Sequence, residues 1–290
     1  MKIGNGIINK KVQAVVQTKY GIMPVSELDC FSGSTKRTLT TDEIIWNSET
    51  VNSIKDSISR VGKSGSLMAR GVRWAPVVTR PQKIVCVGLN YKSHVSETNN
   101  KIPESPILFG KFTNSLAASG ETIAIPKETR QLDYEGELGV VVGRKGRNIS
   151  ESKSMDYVFG YFVGNDLSAR DLQFKTSQWF LGKTCNKFFP CGPFITTADE
   201  VKEPQKLSLK TRMNGRIRQS SDTSYMIFSI AFLVSYISKF MTLYPGDIIS
   251  TGTPEGVIQG MPENSREWIR SGDKVAVEIE SLGTLENDFT

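Results

Sequence analysis

The stretch Asp133-Tyr134-Glu135-Gly136-Glu137-Leu138-Gly139, running straight into Val140-Val141-Val142, decides how this chain is read. A valine run after alternating residues predicts a buried strand. Positions two apart on a strand face the same side, so Glu135 and Glu137 point together while Gly136 turns away. Two carboxylates side by side at the mouth of an apolar strand repel each other. They stay ionised only with a positive partner between them; otherwise one takes up a proton. The usual partner for bare carboxylate oxygens is a hard divalent cation such as magnesium or manganese. A solvated Glu-x-Glu on the polar face of an edge strand has the same local sequence, because glutamate is mostly exposed.

Working outward from this strand, the pattern from Ile84 onward is dominated by short extended runs. They are Ile84–Val87, Thr122–Ile125, Leu138–Val142, Val158–Val163, Leu207–Arg212, Asp247–Thr251 and Lys274–Ile279. Turns marked by glycine or proline join many of them, and few helices intervene, so the regular strand–helix alternation of a doubly wound sheet is excluded. The expected fold class is α+β, mainly β: a mixed, rolled or barrel-like sheet with a few covering helices. Residues 1–77 are expected to form a small N-terminal α/β domain and residues 78–290 the main domain, with Pro76 and Pro81 bracketing the join. In the first unit, Val12–Thr18 reads as a strand and Thr40-Thr41-Asp42-Glu43 has capping-box spacing. Ile44, Ile45, Val51, Ile54, Ile58 and Val61 then supply one apolar helix face, ended by Gly62, Ser64, Gly65 and Ser66.

At 290 residues with 38% hydrophobic and 23% charged side chains, the composition is that of an ordinary globular protein. The net charge of +6 comes from lysines and arginines scattered singly or in pairs, without the basic stripe that a nucleic-acid surface needs. It supports no more than a mild attraction for anionic substrates. No apolar run has signal-peptide or bilayer-spanning length, and Met226–Ile237 reads as a buried helix. Cys30, Cys86, Cys185 and Cys191 follow neither a Cys-x-x-Cys nor a disulfide-framework spacing, which points to a reduced, cytoplasmic setting. Neither nucleic-acid nor membrane partners are expected.

Several residues could carry chemistry. Asp166 follows the extended run Val158–Val163 and so stands at a strand end, where a rigid scaffold often presents functional groups. With Glu135 and Glu137 it would give three carboxylates from two strands, a credible magnesium or manganese site. The same aspartate could instead cap the segment beginning at Leu167. His94 is the only histidine. Glu97, three residues on, would share its face on a helical turn, fixing the tautomer and raising the basicity of the imidazole. A solvated histidine in a polar loop is the plainer alternative. Ser177–Thr184 ends like a phosphate-binding loop, but Ser177 replaces the required first glycine and Trp179-Phe180-Leu181 would clash with phosphates. Nucleotide hydrolysis is therefore set aside. Lys183 could still meet a substrate carboxylate or a developing enolate, or be a surface lysine. Cys185 and Cys191 read as packing residues. The loop after Asp247–Thr251, Gly252-Thr253-Pro254-Glu255-Gly256, could present amides and the Thr253 hydroxyl to an anion, or be a plain turn.

Together these segments resemble the fumarylacetoacetate hydrolase family. The resembling pieces are Gly88-Leu89-Asn90-Tyr91, His94 with Glu97, Leu132–Glu137, Asn165-Asp166 through Gln173, Gly182-Lys183-Thr184, and Pro245-Gly246-Asp247 through Val257. They stand in family order over roughly residues 82 to 290, and the whole chain is similar to the bacterial oxaloacetate-decarboxylase-like, acylpyruvase-like and isomerase-like branch. The resemblance implies a β-roll catalytic domain, a homodimer, and one magnesium or manganese ion per chain held by Glu135, Glu137 and Asp166. It implies that Gln173 and Lys183 face the substrate, that Thr253 belongs to a carboxylate-binding loop, and that His94 and Glu97 sit on a mobile lid. Asn186 stands where relatives often have an acidic residue, a departure that bears on substrate preference and leaves the metal ligands intact.

The expected reaction acts on a small 2-oxo acid or dicarboxylate through a metal-stabilised enolate. Carbon–carbon cleavage, by oxaloacetate decarboxylation or acylpyruvate hydrolysis, is one outcome. Isomerisation of the 5-carboxymethyl-2-hydroxymuconate or 2-hydroxyhepta-2,4-diene-1,7-dioate type is another. A non-catalytic, partner-binding protein that keeps the fold is the third.

Overall fold

The structure, a computed structural model, describes residues 1–31, 38–61 and 72–290. The expected helix end at Gly62, Ser64, Gly65 and Ser66 lies outside the described residues. Among those described, the fold is α+β and mainly β. A 12-stranded mixed sheet and a 4-stranded antiparallel sheet hold all but two of the described strands. No described helix is long and apolar enough to cross a membrane.

Gly136–Val142 lies inside the large sheet, between Val158–Asn165 and Ile248–Ser250, antiparallel to both. Leu138, Val140 and Val142 face one hydrophobic core and Val141 the other. Burial on both faces is why the sequence shows a continuous valine run instead of alternation with polar residues. The first core lies under the smaller sheet, whose Leu209, Val275, Val277 and Leu285 join Leu233, Val234 and Ile237 of the helix Ile230–Phe240. The second core gathers Ile3, Ala14 and Val16 of the N-terminal strands, Ile44 and Ile54 of the helices that follow, and Phe162 and Phe189.

The N-terminal strand Lys2–Ile8 pairs with Lys11–Thr18 and with Arg73–Ala75, and through Lys2 and Ile3 with Ile195–Thr197. The strands of residues 1–75 thus extend the large sheet. The apolar face from Ile44 to Val61 is divided between two helices, Thr41–Ile45 and Ser48–Arg60. Thr40 N donates to Glu43 at 2.8 Å, as the capping box predicts. The break arises because Asn47 caps the second helix, accepting from Glu49 N and Thr50 N, both at 3.1 Å.

Two expected elements are displaced. The buried helix starts at Ile230, because the Ser229 side chain accepts from Phe232 N and fixes the N-cap there. Thr122–Ile125 forms no strand; it makes one bridge, Ile123 to Phe289, beside the C-terminal strand Gly283–Asp288. Pro126 has no N–H with which to continue the ladder.

Candidate active site

Register brings the three carboxylates together. Gly136 and Glu137 pair with Asn165 and Gly164 across the ladder. The next residue after Asn165, Asp166, therefore arrives beside Glu135, and its N–H donates to Glu135 O at 2.8 Å. One oxygen from each of Glu135, Glu137 and Asp166 lies within 4.8 Å of the others. Glu135 is 5% exposed, Glu137 2% and Asp166 0%. The solvated alternative for Glu135 and Glu137 is thereby excluded, and so is a surface position for Lys183, which is 2% exposed.

Gly136 faces away, as strand alternation requires, and its lack of a side chain lets the smaller sheet approach. A Cβ there would stand 2.3 Å from Thr211 Oγ1 and 3.0 Å from Val277. Gly182 has an equivalent role between the short helices Arg170–Gln173 and Phe180–Lys183. A Cβ there would meet Ala169 O at 2.6 Å and Gln173 Cβ at 2.5 Å. That close approach sets Lys183 beside Arg170 and Gln173.

Three buried cations face these carboxylates. Lys183 Nζ donates to Glu135 Oε2 at 2.6 Å and to Asp166 Oδ2 at 3.0 Å. Arg170 Nη2 donates to Glu135 Oε1 at 2.7 Å, and its Nε to Asp133 Oδ2 at 2.9 Å. Lys111 Nζ, at the end of the strand Ile107–Lys111, lies 2.7 Å from Asp166 Oδ1 and donates to the carbonyls of Leu167, Lys183 and Phe188. Asp133, Glu135, Glu137 and Asp166 are thus four carboxyl groups against three cations. Burial would raise Glu135, but Lys183 and Arg170 beside it reverse that and hold it well below the usual carboxylate range. Glu137 goes the other way: burial and the negative charges of Asp166 and Glu135 raise it well above that range. Burial would lower Lys183, but the charges of Asp166 and Glu135 outweigh it and keep the ammonium protonated.

The donor set fits a hard divalent cation: carboxylate oxygens only, converging and buried. Asp166 Oδ1 is fully enclosed, and the Lys111 ammonium 2.7 Å away pairs with it by charge without an aligned hydrogen bond. Both hydrogen bonds to Glu137, from Ser250 Oγ and Gly252 N, fall on Oε2. Lone pairs thus remain for a metal on Asp166 Oδ1 and on the other oxygen of Glu137.

Glu135 and Glu137 open onto a cavity of about 820 Å³ that also reaches His94, Glu97, Gln173, Lys183 and Thr253. His94 and Glu97 stand on the helix Lys92–Glu97, and His94 Nδ1 lies 2.8 Å from Glu97 Oε1. With Nδ1 donating to that carboxylate, Nε2 carries the lone pair, and it has no hydrogen-bond partner among the described residues. Glu97 Oε2 accepts from Gly256 N at 2.9 Å, which docks this helix on the loop after Thr253. Gln173 Oε1 accepts from Arg170 Nη1 at 2.9 Å, leaving its amide NH₂ as a donor at the cavity. The Thr253 hydroxyl donates to Gly136 O at 2.9 Å and accepts from Gln219 Nε2 at 2.8 Å. Asn186 accepts from Asn114 at 3.0 Å in an exposed position.

The sequence reading assigned no role to Asp133, Arg170, Lys111 or Gln219. Arg170 carried a usable signal, standing three residues before Gln173 just past a strand end. Lys111 carried a weaker one, a lone charge closing the apolar run Ile107-Leu108-Phe109.

A family profile described as Fumarylacetoacetate (FAA) hydrolase C-terminal matches residues 83–290. A mitochondrial oxaloacetate tautomerase of Rattus norvegicus is 45% identical over 211 residues, which are 72% of this chain and 67% of that protein. Over 100% of this chain and 99% of the other, the structure of a fumarylacetoacetate hydrolase from Exiguobacterium antarcticum superposes with a TM-score of 0.83 at 30% identity. A 5-carboxymethyl-2-hydroxymuconate delta-isomerase from Mycobacterium smegmatis superposes with a TM-score of 0.76 at 30% identity, over 100% of this chain and 98% of that one.

Proposed function

This chain belongs to the fumarylacetoacetate hydrolase family, and we propose that it relocates a proton on a 2-oxo dicarboxylic acid, interconverting enol and keto forms. The observation that carries this reading is one cavity lined both by Glu135 and Glu137, two members of the buried carboxylate triad, and by a histidine whose Nδ1 is committed to a carboxylate. The names of two relatives support it: tautomerase and delta-isomerase both denote moving a proton without breaking the carbon skeleton.

Glu135, Glu137 and Asp166 would hold one magnesium or manganese ion. Bound there, such an ion supplies Lewis acidity toward the carboxylate and 2-oxo oxygens of the acid. The chain's own residues do the rest. Lys183 keeps a fixed positive charge beside the position where the enolate oxygen develops. The Gln173 amide and the Thr253 loop orient the carboxylate head. His94 Nε2 takes the proton from C3 while the C–H electron pair moves to form C2=C3 and the carbonyl pair passes to oxygen. Glu97 stabilises the imidazolium so formed, and return of a proton to that oxygen completes the enol.

Carbon–carbon cleavage is the second reading, favoured by the likeness to the structure named fumarylacetoacetate hydrolase. Loss of the C4 carboxylate of oxaloacetate as carbon dioxide would leave its bonding pair on C3 and give the enolate of pyruvate, and with a ketone at C4 His94 would activate water for acylpyruvate hydrolysis. A homodimer belongs to the proposal through the family resemblance. The four cysteines are unpaired, which supports a reducing compartment; the rat relative is named as mitochondrial.

The test is a panel of enol and keto oxaloacetate, acylpyruvates and hydroxymuconate-type diacids, with manganese or magnesium added. Proton relocation on a diacid should be the fastest reaction. Turnover of acylpyruvates alone would favour cleavage, and no metal-dependent turnover on any member would contradict both readings.

A further inference from the structure

The cavity is built asymmetrically. At its floor, Arg170 and Lys183 are consumed by carboxylates of the protein. The lining also takes in Gln259–Glu263 and Arg266, and Arg266 is its third cation beside Arg170 and Lys183. That guanidinium is held in place without being neutralised. Its Nε donates to Met261 O at 3.0 Å, and neither Nη makes a hydrogen bond or ion pair with the described residues. Glu263, on the same segment, also lines the cavity but is exposed and does not pair with it.

The segment carrying Arg266 is anchored to the catalytic floor. Ile258 N and Gln259 N donate to the two oxygens of Asp133 at 2.9 and 3.0 Å. Asp133 is itself paired with Arg170 at 2.8 Å, and Arg170 with Glu135 at 2.7 Å. On its other flank, Gly256 N donates to Glu97. The position of Arg266 is therefore tied, through backbone and buried ion pairs, to the residues that would hold the 2-oxo acid head. A guanidinium offering two parallel N–H donors is the group best shaped to take a carboxylate in a bidentate pair.

We propose that Arg266 is the specificity-determining residue of this cavity, selecting acids that carry a second, distal carboxylate. The inference rests on the 2-oxo acid reading above and adds what that reading leaves open, namely the end of the substrate away from the reacting carbons. A diacid would place its head on the floor and its tail carboxylate on Arg266; a monoacid would leave the guanidinium in water.

The test measures calorimetric dissociation constants in the presence of manganese for three probes: oxalate, 2-oxoglutarate, and 2-oxopentanoate, which shares the head and length of 2-oxoglutarate but lacks its tail carboxylate. Wild type should bind 2-oxoglutarate more tightly than 2-oxopentanoate. Arg266→Gln should weaken 2-oxoglutarate by about tenfold or more, as expected for a lost charge-assisted hydrogen bond, and leave oxalate and 2-oxopentanoate unchanged. Arg266→Lys should fall between. Unchanged oxalate binding also shows that the variant is folded. Equal binding of the two five-carbon acids by wild type, or a loss in Arg266→Gln shared by all three probes or by none, overturns the inference. If wild type fails to bind oxalate, the 2-oxo acid reading itself falls and this inference with it, a result distinct from losing only the diacid preference.

Discussion

The Lys183 ammonium lies 2.6 Å from Glu135 Oε2, and both groups are buried. This pair, which also reaches Asp166 at 3.0 Å, shows how the protein tolerates converging carboxylates. Lys183 balances two of them, and Glu137, without a cation of its own, is pushed toward its protonated form. Removing one member of a buried ion pair costs about 3–5 kcal/mol, because the remaining charge is left uncompensated. Lys183→Met should therefore lower the metal-free melting temperature clearly. Added manganese should recover more stability in this variant than in wild type, since Glu135 and Asp166 have lost a competing cation. Identical melting of the two proteins without metal would refute this account of the pair.

Metal binding should release a proton. The pKa of Glu137 is raised in the folded protein, so its contribution to stability is present below the ordinary carboxylate range and is lost as pH rises through the raised value. A divalent cation needs the ionised form, so its affinity should increase with pH across that same window. Titrations in buffers of different ionisation enthalpy would measure the released proton. In Glu137→Gln the release should vanish together with most of the affinity. A pH-independent affinity in wild type would count against the protonated Glu137.

His94→Asn should reduce proton relocation by roughly a hundredfold to ten-thousandfold, the usual range for a lost general base. Because His94 lines the cavity but is not one of the three carboxylates that would hold the metal, oxalate binding in the presence of manganese should persist. Glu97→Gln should cost less, since the imidazole keeps its lone pair on Nε2 and loses only the charge that stabilises the imidazolium. Retention of full activity by His94→Asn would remove the histidine from the mechanism.

Gly182→Ala should destabilise the protein by about 1–3 kcal/mol, the cost of forcing an extra carbon into a closed contact. Activity should fall further than stability, because the same contact sets Lys183 against Glu135. Gly215→Ala serves as a comparison: its Cβ would meet nothing within 4 Å, though its φ of +78° carries a backbone cost. Denaturant unfolding of both variants checks the stabilities, and equal losses of activity would contradict the packing argument.

The acidic triad was legible in the sequence for a local reason. Strand alternation alone puts Glu135 and Glu137 on one side, and a strand end alone presents Asp166. The helical spacing of His94 and Glu97 was legible in the same way, and their 2.8 Å contact follows from it. The buried cations were not, because what neutralises a carboxylate is a tertiary pairing that leaves no periodic trace. Lys111 meets Asp166 from 55 positions away in sequence only because Ile107–Lys111 pairs with Ile84–Gly88, which pairs in turn with Ile248–Ser250. The N-terminal strand Lys2–Ile8 was hidden by its two glycines and an asparagine, which interrupt its apolar positions. Its Asn5 is buried and bonded to Thr41 and Pro76, a context that sequence does not reveal.

The central claim is that Glu135, Glu137 and Asp166 together hold a divalent cation against which a 2-oxo diacid is enolised. The most direct measurement is the rate of enol–keto interconversion of oxaloacetate, followed by the decay of the enol absorbance in wild type and Glu137→Gln, each with manganese and with a chelator. Wild type should accelerate the interconversion with manganese only, and neither protein should do so under chelation. Equal acceleration by Glu137→Gln, or undiminished wild-type activity in the chelator, would contradict it.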